Sequence, residues 1–395
     1  MTNLILPGDA RPGVVVLFGS GETSPSGRKV FDQVLKDLPQ PPRLALLETP
    51  AGFELNSTQV IGRVAEFIRH RLQNYQPQVT LVPARKRGTP DSPDEPQVVA
   101  PLLESDLIFM GPGSPTYAVR QLSDSLAWHY LLARHRLGAA LVLASAATIA
   151  LSAYALPVYE IYKVGEDPHW KAGLDFFGAY GLPLVFVPHW NNNDGGDELD
   201  TSRCFMGQPR FADLMGQLPL DVTVIGIDEK TALLMDPNVG ICRVIGLGSV
   251  TLIHSGHRHA HPGPDLHGTG LAEVAVQRDA HVHIHRFGES FPFSECCPWQ
   301  AHLTLEGLPP LAWKQALEAQ ARMQADRLAA AEAPSASQTL DVDIASDQVQ
   351  TLLAARQEAR LRKDWPAADA LRLQIAALGW QVVDTPDGPK LVRSE

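Results

Sequence analysis

Apolar residues form short continuous runs along the first part of the chain, and segments with helical periodicity separate them. Runs without polar alternation are typical of strands that are buried on both faces of a sheet. The segments around Phe31 and Val64 place apolar residues three or four positions apart, which predicts amphipathic helices. Alternating strands and helices predict an α/β fold with a mostly parallel, doubly wound sheet. The predicted strands are Val14-Val15-Val16-Leu17-Phe18, Leu44-Ala45-Leu46-Leu47, Val79-Thr80-Leu81-Val82, Leu107-Ile108-Phe109-Met110, Ala140-Leu141-Val142-Leu143, Leu184-Val185-Phe186-Val187 and Val222-Thr223-Val224-Ile225.

The pattern changes towards the end of the chain. After Ile241 the sequence favours further strands, and residues 308–332 favour a helix rich in Ala, Leu and Gln. Residues 334–338 have the composition of a flexible linker. Two more helices are predicted beyond it, separated at Asp364-Trp365-Pro366 because proline interrupts helical hydrogen bonding. We therefore expect a main domain over residues 1–305, a helix and linker over 306–345, and a small helical module over 346–395.

The composition is that of an ordinary globular protein. Of the 395 residues, 45% are hydrophobic and 19% are charged, and the net charge of −11 argues against a nucleic-acid-binding surface over the whole chain. The four cysteines contain no C-x-x-C pair, which argues against a thiolate zinc site and favours a reducing compartment. The chain starts without a leader pattern and has no apolar run of membrane-spanning length. We expect a cytoplasmic protein without a membrane segment.

Three polar residues follow predicted strands at positions suited to acyl-transfer chemistry. Ser145 lies between the run that ends at Leu143 and an Ala-rich helical segment, which is the context of a nucleophile elbow. A serine at this position is equally suited to cap the helix. His189 and Glu229 follow two later runs, and the carboxyl ends of strands in one parallel sheet lie at the same edge. A hydroxyl, its general base and the carboxylate that orients the base would then meet at that edge.

The order of these segments resembles the dipeptidase E and cyanophycinase family of serine peptidases, over residues 13 to about 255. The resemblance implies a class I glutamine amidotransferase-like, flavodoxin-like fold. It also implies a triad of Ser145 as nucleophile, His189 as base and Glu229 as orienting carboxylate. The backbone N–H groups of Gly113 and Ala146 would form the oxyanion hole, and the chemistry would need no metal and no cofactor. The matching segments are Gly19-Ser20-Gly21-Glu22, Gly111-Pro112-Gly113-Ser114, Leu143-Ala144-Ser145-Ala146-Ala147, His189 with Arg203 downstream, and Gly226-Ile227-Asp228-Glu229-Lys230-Thr231-Ala232.

The elbow departs from the family pattern, because Leu143 and Ala147 stand where the family has glycines. Larger residues in a strained, closely packed turn can misalign the triad or narrow the pocket. We expect a serine hydrolase that cleaves an amide or isopeptide bond in a small peptide. The alternative is a catalytically silent binding or scaffold protein of the same fold. A glutamine amidotransferase is a third interpretation, which the serine disfavours because that chemistry uses a cysteine. The oligomeric state stays open, with a homodimer among the options.

Polar residues after the histidine are candidates for substrate binding. Asn191 and Asn192 belong to a run that either forms a polar turn or lines a pocket for the amine of a peptide. Arg203 either clamps a substrate carboxylate or makes a surface ion pair.

A His-rich segment follows the predicted catalytic region. Three of its histidines alternate and would share one face of a strand, so they are candidates for a zinc or nickel site. A solvated strand edge without metal is the simpler interpretation. The segment contains His254, His257, His259, His261, His267, His281, His283 and His285.

Residues 348–393 resemble the C-terminal tail of cysteinyl-tRNA synthetases. In that family the tail lies beside the anticodon-binding region, so tRNA is a candidate partner. The rest of the chain has none of that family's nucleotide-binding signatures, and residues 346–395 hold equal numbers of basic and acidic side chains. A small helical packing module is therefore the simpler interpretation. The matching text includes Ala355-Arg356-Gln357-Glu358-Ala359-Arg360, Ala367-Ala368-Asp369-Ala370-Leu371-Arg372 and Leu378-Gly379-Trp380-Gln381-Val382-Val383-Asp384.

Overall fold

The computed structural model describes residues 11–254, 281–296, 308–332, 347–385 and 388–393. The chain forms two compact units, Met1–Met323 and Gln324–Glu395. The linker predicted at residues 334–338 lies outside the described residues. So do four histidines of the His-rich segment, namely His257, His259, His261 and His267.

The strands of the first unit coincide with the apolar runs of the sequence and add several shorter ones. In chain order they are β1 (Val15–Phe18), β2 (Arg43–Leu47), β3 (Gln78–Val82), β4 (Leu107–Met110), β5 (Ala140–Ala144), β6 (Tyr154–Ala155), β7 (Lys171–Ala172), β8 (Leu184–Val187), β9 (Thr223–Ile227), β10 (Thr231–Asp236), β11 (Ile241–Gly246), β12 (Ser249–His254), β13 (His281–Arg286) and β14 (Ser290–Pro292).

Eight of these strands form the central sheet, in the order β14-β11-β10-β1-β5-β4-β2-β3. Strands β1, β5, β4, β2 and β3 run parallel, whereas β10, β11 and β14 extend the sheet with antiparallel pairing. The register places Val16 opposite Val142 and Leu46 opposite Phe109. The predicted mostly parallel, doubly wound sheet is therefore confirmed.

His189 and Glu229 follow strands of a second sheet, so the expectation of one sheet for all three site residues was wrong. Strands β8, β9, β12 and β13 pair in the order β13-β12-β9-β8, with β8 and β9 parallel. The reason lies in the pairing of β5, which already has β1 on one edge and β4 on the other. Neither β8 nor β9 can therefore pair with β5. The sequence of an apolar run does not show which strand it will pair with.

Helices cover both faces of the central sheet, which explains why β1, β4 and β5 consist of apolar, buried residues. On one face Phe31 and Ile68 pack against Phe109, and on the other Leu131 packs with Leu141. None of the helices in the described ranges is both long and apolar enough to cross a membrane. The helices are α1 (Pro25–Leu35), α2 (Ser57–Arg71), α3 (Pro96–Leu103), α4 (Pro115–Leu122), α5 (Leu126–Arg136), α6 (Ala146–Ala150), α7 (Gly207–Gln217) and α8 (Pro310–Glu332).

The first half of α8 is part of the core of the first unit, although the sequence analysis placed this helix outside the main domain of residues 1–305. Ala312, Trp313 and Ala316 are buried there. The Tyr130 hydroxyl donates a hydrogen bond of 2.9 Å to Gln315 Oε1. The boundary between the two compact units falls within this helix.

The second unit contains the two helices predicted for the tail, α9 (Asp347–Leu361) and α10 (Trp365–Ala377). Asp364 caps α10, because its Oδ1 accepts a hydrogen bond of 3.2 Å from the Ala367 N–H. The confirmed helical module also carries a hairpin that the sequence analysis did not predict, formed by β15 (Trp380–Thr385) and β16 (Gly388–Arg393). Its small core consists of Val349, Ile375 and Val382.

A buried histidine makes the first unit sensitive to acid. His135, near the end of α5, is fully buried, and its Nε2 lies 2.5 Å from the Tyr180 hydroxyl. Burial, with a further contribution from the charge of Arg136, lowers the pKa of His135 to about 3. A histidine of the unfolded chain titrates near pH 6.5. Between pH 6.5 and pH 3 the unfolded chain binds a proton at this histidine that the folded chain does not bind. The free energy of unfolding therefore has its full value with respect to His135 above pH 6.5 and decreases as the pH falls.

We expect the free energy of unfolding to fall by about 1 kcal/mol between pH 6 and pH 5 because of His135 alone. Urea denaturation at several pH values measures this slope. The His135→Gln variant should lack this part of the slope, whereas replacement of an exposed histidine in His70→Gln should preserve it. An identical pH slope in wild type and His135→Gln would contradict the assignment.

Candidate active site

Ser145 occupies a sharp turn between β5 and α6. Its φ of 53° and ψ of −110° lie in a region that L residues rarely adopt, so the backbone is strained. The Ser145 N–H donates a hydrogen bond of 3.3 Å to Phe18 O, on the neighbouring strand β1. Within the described residues the hydroxyl makes no capping hydrogen bond to α6. The turn therefore has the strained strand-to-helix geometry of a nucleophile elbow.

The two residues that replace the family glycines fit this turn. Leu143 is buried in the core, opposite Leu17 and Met110 in the sheet, and Ala147 is fully buried as well. Thr148 fixes the turn further, because its hydroxyl lies 3.0 Å from the Phe18 carbonyl oxygen and 3.2 Å from that of Leu143. The sequence analysis did not single out Thr148, which looks like one more residue of an Ala-rich helix.

The structure brings the three expected triad side chains together. Ser145 Oγ lies 2.9 Å from His189 Nε2, and His189 Nδ1 lies 3.0 Å from Glu229 Oε1. The backbone of His189 also has a positive φ, of 51°, and its N–H donates to Gly19 O at 3.2 Å. One imidazole therefore bridges a hydroxyl from the central sheet and a carboxylate from the second sheet.

The Glu229 carboxylate is held in its charged form. Its hydrogen bond with His189 is the largest cause, and together with the Asn192 amide and the charges of His189 and Lys230 it outweighs partial burial and lowers the pKa of Glu229 to about 2. A carboxylate with this pKa is ionised at neutral pH. It can orient the His189 ring and stabilise the ring when it is protonated, but it cannot act as an acid there.

Asn191 and Asn192, the candidates for substrate binding, both contact Glu229. Asn192 is buried, and its Nδ2 donates a hydrogen bond of 3.0 Å to Glu229 Oε1. The Asn191 Oδ1 accepts a hydrogen bond of 2.8 Å from the Glu229 N–H. Asn192 thus holds the carboxylate, and Asn191 holds the backbone of the same residue.

Arg203 lies on the side of the histidine loop that faces the protein interior. It is buried, its guanidinium stacks 4.0 Å from the centre of the Trp190 ring, and its Nη1 donates to Trp190 O at 3.1 Å. Trp190 also lies against Gly226, where a Cβ would come within 2.3 Å of the ring. Arg203 therefore supports the loop that carries His189, and its burial lowers its pKa.

The expected oxyanion donors are backbone groups without a partner. Gly113 has a φ of 147°, and a Cβ there would lie 2.0 Å from Pro50 O, so the position requires glycine. Ala146 is the first residue of α6. Within the described residues, neither the Gly113 N–H nor the Ala146 N–H donates a hydrogen bond. Two unpaired N–H groups are what an oxyanion requires.

The described histidines of the His-rich segment lie on β12 and β13. His283 lies with its ring 5.7 Å from that of His254, and His285 stacks on Phe291 at 3.9 Å. The part of the chain that the structure describes contains no group of three or more His, Cys, Asp or Glu side chains that could hold a metal ion.

Glu22 lies close enough to His189 for their charges to interact, but it was not a candidate on its own in the sequence. It follows β1, and the charge of His189 acts on its carboxylate. The sequence does contain a signal for this residue, because Glu22 ends the Gly-Ser-Gly-Glu segment that carries part of the family resemblance.

Comparison with known proteins gives different relatives for the two ends of the chain. Residues 345–389 match the family model described as cysteinyl-tRNA ligase anticodon binding domain. Cysteine–tRNA ligases from Moorella thermoacetica and Methanosarcina mazei are 42% and 48% identical over 59 and 48 residues. These stretches cover 15% and 12% of this chain but only 12% and 10% of the two ligases. The similarity therefore concerns a short module.

Among solved structures, the fold is similar to that of a peptidase from an acI-B1 Actinobacterium. The TM-score is 0.53 at 20% sequence identity, and the match covers 72% of this chain and 98% of that one. A putative peptidase E protein from Listeria monocytogenes EGD-e matches with a TM-score of 0.41 at 13% identity, over 60% of this chain and 99% of that one. The first of these likenesses shows that the chain has a peptidase-type fold.

The strain at Ser145 predicts an unusual order of stability among its variants. Because only glycine adopts its φ and ψ without a steric penalty, we expect Ser145→Gly to be more stable than Ser145→Ala by roughly 1–3 kcal/mol. Urea denaturation of the two variants measures this difference. At Ser152, which is buried and has a negative φ, the same pair of substitutions should show no advantage for glycine. An alanine variant at Ser145 as stable as the glycine variant would show that the turn is not strained.

Proposed function

We propose that the protein is a serine hydrolase that cleaves an amide or isopeptide bond in a small peptide. The observation that carries this proposal is the continuous chain from Ser145 Oγ through His189 to Glu229 Oε1, with heavy-atom distances of 2.9 and 3.0 Å. The unpaired N–H groups of Gly113 and Ala146 support it, as does the peptidase-type fold.

The reaction follows from the position of each group. Ser145 Oγ attacks the carbonyl carbon of the scissile bond while its proton moves to His189 Nε2. The carbonyl oxygen becomes an oxyanion and accepts hydrogen bonds from the Gly113 and Ala146 N–H groups. The tetrahedral intermediate then expels the amine, which takes the proton from His189 Nε2, and an acyl-serine remains. A water molecule, deprotonated by His189, hydrolyses this ester and restores the serine.

The remaining residues of the site act by positioning. Glu229 holds the His189 Nδ1–H and stabilises the imidazolium that forms during attack. We assign Asn191 and Asn192 to the support of Glu229, because both amides are engaged with it. Arg203 supports the histidine loop through Trp190. These assignments leave the acyl pocket to other residues.

A fluorophosphonate probe with a neutral tail tests the nucleophile and its activation together. We expect one equivalent of label on wild type, at Ser145, and no label on Ser145→Ala, because the probe bonds to an activated serine. Glu229→Gln should label roughly 10³- to 10⁴-fold more slowly, since the imidazolium loses its counter-charge. Glu66→Gln, which neutralises an exposed glutamate on α2, should label at the wild-type rate. Equal labelling of wild type and Ser145→Ala would reject the proposal and favour the catalytically silent alternative.

A second candidate function is binding of tRNA through the tail, which the family match over residues 345–389 favours. We expect a gel shift with tRNA that weakens as salt increases and disappears when residues 340–395 are deleted, because phosphate contacts dominate such binding. The labelling rate of the deletion variant with the fluorophosphonate probe serves as a control for folding of the remaining chain. Absence of a shift with the full chain at low salt would refute this function.

A further inference from the structure

Glu22 lies on a segment that is fastened to the strand ends around the candidate site. The Gly19 N–H donates to Thr231 O at 2.9 Å, and the Lys230 N–H donates to Ser20 Oγ at 3.2 Å. The His189 N–H donates to Gly19 O. Gly19 and Ser20, shortly before Glu22, are thus bonded to the segments that carry His189 and Glu229, which places the backbone of Glu22 at the edge of the candidate site.

The Glu22 carboxylate has no partner among the side chains that the structure describes. It is half-buried, and within the described residues it makes no ion pair and no hydrogen bond to another side chain. Burial raises its pKa, while its own backbone N–H and the charge of His189 act in the opposite direction. Removing a carboxylate from water without a partner is costly, so its retention calls for a functional reason.

Two buried carboxylates in the described part of the fold differ from Glu22, because side-chain or backbone donors bind them. Glu48 accepts hydrogen bonds from Ser57 and Arg85, at 3.3 and 2.8 Å. Asp228 accepts two from Ser249, at 2.8 and 2.7 Å. The fold thus supplies donors where a carboxylate serves the structure alone.

Glu22 does not duplicate a triad residue. The two ring nitrogens of His189 are already engaged, with Ser145 and with Glu229. A carboxylate near this ring but outside the triad is suited to attract a positive charge that arrives with the substrate.

We propose that Glu22 is a specificity-determining residue that binds a cationic group of the substrate, an ammonium or a guanidinium, next to the reacting bond. This inference rests on the proposed hydrolase function and adds the substrate class to it. A charge-assisted hydrogen bond to a half-buried carboxylate favours a cationic over a neutral substrate by roughly 10- to 100-fold.

Three fluorophosphonate probes of equal length test this, with a neutral alkyl tail, a primary ammonium tail or a guanidinium tail. Second-order labelling rate constants are measured for wild type, Glu22→Gln and Asp37→Asn, an exposed control that also removes one negative charge. We expect wild type and Asp37→Asn to react 10- to 100-fold faster with at least one cationic probe than with the neutral probe. The faster of the two cationic probes shows whether the site prefers an ammonium or a guanidinium group.

The Glu22→Gln variant should lose this preference, measured as the ratio of the cationic to the neutral labelling rate constant. Glu22→Asp, which retains the charge, should keep part of the preference, and circular dichroism checks that both variants fold. Equal rates of wild type with all three probes would overturn the inference. The inference would also be overturned if Glu22→Gln slowed labelling by all three probes equally. Glu22 would then act on the imidazole and not on the substrate. Absence of labelling with every probe would refute the hydrolase function itself.

Discussion

The candidate site depends on one close approach between the two sheets of the first unit. Gly19, at the end of β1, lies against the backbone that follows β9, and a Cβ at Gly19 would come within 2.1 Å of Asp228 O. Only glycine permits this approach. Since Ser145 belongs to the central sheet and His189 and Glu229 to the second, a wider separation would pull the hydroxyl away from the imidazole. A hydrogen bond also ties β1 to the histidine loop, because the Gly19 carbonyl oxygen accepts the His189 N–H.

Two strained residues meet across this junction. Ser145 and His189 both have a positive φ, and neither is a glycine. Such conformations persist only where the surroundings impose them. Thr148 imposes the first through its hydrogen bonds to the ends of β1 and β5. Trp190, which contacts both Gly226 and Arg203, anchors the chain directly after the second. Both of these residues thus lie where a hydroxyl and an imidazole must face each other.

The two compact units of the chain have different relatives. The first has a peptidase-type fold with a hydrogen-bonded Ser-His-Glu arrangement. The second matches a module of cysteinyl-tRNA ligases, without the rest of those proteins. Its core is small, and apolar side chains such as Leu361, Trp365 and Leu373 are exposed on its helices. The proposed chemistry of the first unit needs nothing from the second, so the hydrolase and tRNA-binding proposals can fail independently.

The sequence by itself determined the parallel strands of the two sheets, the helices around Phe31 and Val64, the two tail helices and the identity of three polar residues after the strands. It could do so because burial on both faces leaves an unbroken apolar run, and because Ser145, His189 and Glu229 each lie within two residues of a strand end. Strand pairing was decided only by the tertiary structure, since whether β8 joins β5 or β9 depends on which edges are free. The contacts of Asn191, Asn192 and Arg203 were decided in the same way, because the direction of a polar side chain depends on the partner that the folded chain brings to it. Neither choice leaves a local signal. The close approach at Gly19 and the Glu22 carboxylate, which has no side-chain partner in the part of the chain that the structure describes, therefore emerge only when distant segments meet.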